Sequence, residues 1–119
     1  MLVIRDQQMR ILQEFQLRQF EDSLAAHLAK RFPRSALTTD ADFLRSMIRE
    51  GLRVAKTFGI VNRTDVRRFL EFSAEYGTDF YLKPWAAKIL GDPTLSGCGK
   101  MEQMDAYSVY VFRPWDANG

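Results

Sequence analysis

Apolar residues in the first third of the chain recur at helical spacing. Met9, Leu12, Phe15, Phe20, Leu24 and Leu28 lie mostly three or four apart, with one step of five. Gln7, Gln8, Arg10, Gln13, Glu14, Arg18, Gln19 and Glu21 fill the other positions. The pattern predicts a helix over residues 6–32, with Asp6 as its N-cap. Pro33 ends it, because proline lacks an amide proton and pushes Phe32 out of the helical region. Such a helix is about 40 Å long, so one end is expected to project or bend.

A second stripe, Phe43, Leu44, Met47, Ile48, Leu52, Ala55 and Phe58, predicts a helix over residues 41–58 after the loop 33–39. Thr39 or Asp40 would cap it, and Gly59 would close it in a positive-φ conformation, with Ile60 packing back on the last turn. A third helix starts at Asn62 to Thr64, carries Val66, Phe69, Leu70, Ser73 and Tyr76, and ends at Gly77. Pro84 fits the first position of a short fourth helix over residues 84–90, closed by Gly91. Asp92-Pro93-Thr94 reads as a turn and residues 96–99 as a flexible link. Met101, Met104, Ser108 and Val111 predict a last helix over residues 100–112. The run from Ala106 to Phe112 is also rich in β-formers, so a strand is the alternative there. The expectation is an all-α fold: a compact bundle of four to five helices, the fourth short.

Composition agrees with one globular domain spanning 1–119, its core at about 6–112 and its last residues frayed. Of 119 residues, 46% are hydrophobic and 27% charged, which argues against disorder. Nine phenylalanines can fill much of a small core. A net charge of +2 is too weak to draw the chain to nucleic acid or a membrane by bulk attraction. Cys98 is the only cysteine, which suits a reducing compartment. The first residues lack a signal-peptide pattern and no apolar run approaches membrane-spanning length, so a cytoplasmic location is expected.

Little in the chain points to catalysis. His27 is the only histidine and lacks the partner ligands that a metal or a general base needs. Cys98 lies between two glycines, near a predicted helix start that could lower its pKa, but no second catalytic group accompanies it. Phosphate loops, nucleophile elbows and paired-carboxylate signatures are absent. No cofactor, metal or enzymatic activity is expected.

Two features could contact a partner. The first is a basic stripe. Arg45, Arg49, Arg53 and Lys56 recur along the second helix, and Arg63, Arg67 and Arg68 follow on the third. Between Phe43 and Phe69 there are seven basic residues against two acidic ones, Glu50 and Asp65. The stripe can grip phosphates or an acidic protein, or it can be a solvated face paired with Glu14, Glu21, Asp22, Glu71 or Glu75. The second is the aromatic-rich entry to the short helix: Asp79, Phe80, Tyr81, Lys83, Pro84 and Trp85. Trp85 and its neighbours can anchor a protein interface. Alternatively, Phe80 and Trp85 plug the end of the bundle.

An ordered set of segments supports a resemblance. It comprises Arg49 to Lys56 (REGLRVAK), Phe58-Gly59-Ile60-Val61, Asp65-Val66-Arg67-Arg68-Phe69 and Tyr76-Gly77-Thr78-Asp79-Phe80. Pro84 to Leu90 (PWAAKIL), Asp92-Pro93-Thr94-Leu95 and Lys100-Met101 follow, with Gln19-Phe20-Glu21-Asp22 ahead of them. Over roughly residues 7–105 this resembles a family of small helical bacterial proteins encoded beside type VI secretion spike proteins (VgrG and PAAR) and their toxins. The resemblance implies a non-enzymatic accessory, adaptor or immunity-like protein that binds a secreted effector or a spike component. It carries over no catalytic residue. A nucleic-acid-binding regulator using the arginines of the second and third helices is the alternative from a different class.

Overall fold

The computed structural model describes residues 6–35 and 39–109. The fold is all-α. Among the described residues the elements are α1 (Asp6–Arg31), α2 (Ala41–Thr57), α3 (Arg63–Tyr76), a single 3-10 turn (Phe80–Leu82), α4 (Pro84–Leu90) and α5 (Gly97–Tyr107). The fourth helix is the short one, as its proline start and glycine stop predict. Contacts within the chain group into two units, residues 1–49 and 50–119.

In the first unit, Leu24, Leu28, Leu44, Met47 and Ile48 are buried. The remaining apolar positions of α1 do not join them. Met9, Leu12 and Phe15 are exposed and Phe20 is half-buried. The stripe changes sides at the step of five between Phe15 and Phe20, but that alone does not expose it: Leu17, seven residues before Leu24 and on its side of the helix, is exposed as well, so no described element covers residues 8–19 on any side. Five residues turn a helix by about 140° beyond a full revolution, so the stripe changes sides there. Phe15 and Leu24, nine apart, face in nearly opposite directions, about 180° around the helix. Phe43, in the first turn of α2, is also exposed. Asp40 caps that helix: its Oδ1 accepts from the backbone N–H of Asp42 at 2.9 Å and of Phe43 at 3.2 Å.

The second unit is built around phenylalanines. Phe69 and Phe80 are fully buried with ring centroids 4.9 Å apart, and Phe72 stacks on Phe80 at 5.8 Å. Val54, Ala55, Ile60, Val66, Leu70, Ala86, Leu90, Met101 and Met104 complete this core. The end of α2 is a Schellman motif. The amide of Ile60 donates to the Ala55 carbonyl at 2.9 Å and that of Gly59 to Lys56 at 3.0 Å. Gly59 supplies the required positive φ of 77°.

α5 starts three residues earlier than the periodicity implies. Ser96 caps it by accepting from the Gly99 amide at 3.1 Å, so Gly97, Cys98 and Gly99 form its first turn rather than a flexible link. At its other end, Ala106 and Tyr107 are helical and Ser108 and Val109 form a π-type turn. The described part of the strand alternative is therefore helical, and residues 110–112 lie outside the described residues.

Gly97 lets α5 press on the α2–α3 turn. A Cβ there would lie 2.2 Å from the Gly59 carbonyl oxygen, a backbone atom with little room to move. Lys100, one turn on, donates from Nζ to the Phe58 carbonyl at 2.9 Å and lies 5.8 Å from the Phe58 ring centroid. Gly97→Ala is expected to cost about 1–3 kcal/mol, as overpacking against backbone does. Gly99→Ala meets its nearest neighbour at an ordinary 3.4 Å and should leave stability unchanged or slightly raised. Urea unfolding of the two variants beside wild type checks this; equal midpoints for both would rule out the close approach as a constraint.

Candidate functional site

Arg45, Arg49, Arg53, Arg67 and Arg68 of the basic stripe are held by carboxylates. In the first unit Arg45 on α2 pairs with Asp22 on α1, and Arg49 Nε lies 3.3 Å from Glu21 Oε2. Glu21 is a buried acid on the same side of α1 as Leu24 and Leu28, so Arg49 compensates a charge that solvent reaches poorly. In the second unit, Arg53 forks onto Glu50 with Nη2···Oε1 at 2.5 Å and Nε···Oε2 at 3.1 Å. Arg67 Nε stands 3.8 Å from Glu71, one helical turn away. Arg68 reaches from α3 to Asp105 on α5 at 2.9 Å.

Apart from the buried Glu21, the groups in these pairs are exposed or half-exposed, so solvent screens them and they add little to stability. Their larger effect is electrostatic. The Arg53 hydrogen bond holds the Glu50 carboxyl below its ordinary range. Glu50 in turn raises the already high Arg53 value. Charge runs of this kind are what a solvated helix face looks like when acids are supplied from neighbouring turns and helices. Glu21, Asp22 and Glu71 are three of the five partners that the sequence suggested; Glu50 and Asp105 are additional.

The aromatic entry to α4 divides in two. Phe80 is fully buried against Phe69 and Phe72 and presents no surface to a partner. It is a core residue, because the 3-10 turn that carries it folds inward between α3 and α4. Asp79 is exposed and makes no side-chain cap hydrogen bond at the start of that turn. Trp85 is half-buried, with its centroid 6.4 Å from those of Phe72 and Phe80. Its ring also lies parallel to Tyr107 on α5, 5.3 Å away with planes 3° apart.

That α4–α5 junction opens into a groove of about 540 Å³ lined by Lys88, Ile89, Asp92, Leu95, Gln103, Ala106 and Tyr107. None of these seven is among the residues that the sequence offers for contact with a partner. The groove is made by two helices meeting across a turn, and periodicity within either helix carries no sign of it. Ile89, Leu95 and Ala106 give it apolar walls, while Lys88, Gln103 and Tyr107 bring polar ends. Asp92 is partly occupied: its Oδ1 accepts from the Thr94 amide at 2.9 Å and the Thr94 hydroxyl at 2.6 Å. Those bonds hold its carboxyl below the usual range. The volume falls within the range of sites that take a small molecule or a few peptide side chains.

Cys98 is exposed at the start of α5, where a helix N-terminus would favour the thiolate. Its surroundings act the other way. The negative charges of Asp65 and Glu102 push the thiol up from its ordinary value. His27 is half-buried on α1. Among the described residues no three His, Cys, Asp or Glu side chains gather in a group that could hold a metal ion. No described helix is long and apolar enough to cross a membrane. No family model, curated protein or solved structure matches this chain.

Phe80→Ala is expected to lower stability by about 3–5 kcal/mol, measured by chemical denaturation. A loss below about 1 kcal/mol would mean that Phe80 is not the core anchor described. At pH 7.5 the raised thiol holds less thiolate than free cysteine, so Cys98 should react with iodoacetamide more slowly than a model thiol. Glu102→Gln should speed that reaction by removing one of the two negative neighbours. An unchanged rate would show that Glu102 does not act on the thiol.

Proposed function

We propose that this chain is a non-enzymatic protein-binding module. In this reading it is an accessory or adaptor, or an immunity-like protein, that holds a secreted effector or a spike component of a type VI secretion system in the bacterial cytoplasm. The observation that carries the binding role is the α4–α5 groove, with the Trp85–Tyr107 stack beside it. Apolar walls with a lysine at the rim suit a partner segment that inserts an aliphatic or aromatic side chain and places a carboxylate near Lys88. The secretion setting is supported by the resemblance of the Arg49–Lys56, Tyr76–Phe80 and Pro84–Leu90 segments.

The nucleic-acid alternative has no such support. To grip phosphate, Arg49, Arg53, Arg67 and Arg68 would each have to exchange a carboxylate already at hand.

Co-expression with spike and effector proteins of a type VI cluster, followed by size-exclusion chromatography and calorimetry, tests the reading. Wild type should co-elute with one of them. Ala106→Trp, which fills the groove, and Lys88→Glu, which reverses its rim charge, should weaken that complex at least about tenfold, with circular dichroism unchanged. If both variants bind as wild type does, the groove is not the contact surface. If wild type binds none of these proteins, the secretion assignment fails. Protection of cells from the bound toxin would select the immunity role over the adaptor role.

A further inference from the structure

We draw no further inference here: the strongest candidate, the apolar surface patch that Ile11, Leu12 and Phe15 leave exposed in the first half of α1, is a helix face for which nothing in the structure shows what covers it.

Discussion

The burial of Phe80 between Phe69 and Phe72 is the contact on which the second unit depends. One residue on a three-residue turn fills the space between α3 and α4. That placement brings Trp85, five residues on, up against Phe72, with Tyr107 of α5 stacked parallel to its ring. The chain from Tyr76 to Tyr107 is thus arranged by one aromatic cluster, and the groove between α4 and α5 is a by-product of how those two helices meet around it. Cooperation of this kind is why removing a single ring from such a core costs more than its own transfer energy.

Close backbone approach is the second constraint. α5 can sit on the α2–α3 turn because Gly97 has no Cβ to meet the Gly59 carbonyl. Lys100 then ties the same turn through the Phe58 carbonyl. A similar economy operates at Gly51, where a Cβ would lie 2.3 Å from the end of the Leu70 side chain. Glycine inside a helix is unfavourable by about 1 kcal/mol relative to alanine, and packing offsets that here.

Electrostatics give the molecule its surface character. The basic stripe is conspicuous as a run of letters because acids are nearly absent between Phe43 and Phe69. In space its arginines draw carboxylates from α1, from their own helices and from α5. The result is a mixed surface rather than a cationic one, in keeping with the small net charge. The apolar groups left uncovered in the first half of α1 and around the α4–α5 groove are the places where the chain has more to offer another molecule than its charges do.

The all-α class, the short proline-led helix, the Gly59 and Gly77 stops and most of the buried stripes of α2 and α3 (Leu44, Met47, Ile48 and Ala55; Val66, Phe69, Leu70 and Ser73) were legible in the sequence, whereas Phe43 is exposed and Leu52, Phe58 and Tyr76 are half-buried. Each follows from local rules: helical periodicity, proline and glycine backbone preferences, and caps that act within four residues. The early start of α5 was legible in principle, since Ser96 ahead of a glycine-rich turn is an N-cap signal that chain flexibility masked. What only the tertiary structure decided was long-range. Periodicity placed Leu12 and Phe15 on the stripe with Leu24 and Leu28, and the fold buries only the last two, because no described element packs on any side of residues 8–19. Composition offered Phe80 as either anchor or core, and packing made it core. The arginine partners Asp22, Glu21 and Asp105, and the groove between Ile89 and Ala106, join residues 17 or more positions apart. Contacts at that separation depend on how helices cross, which no local pattern encodes.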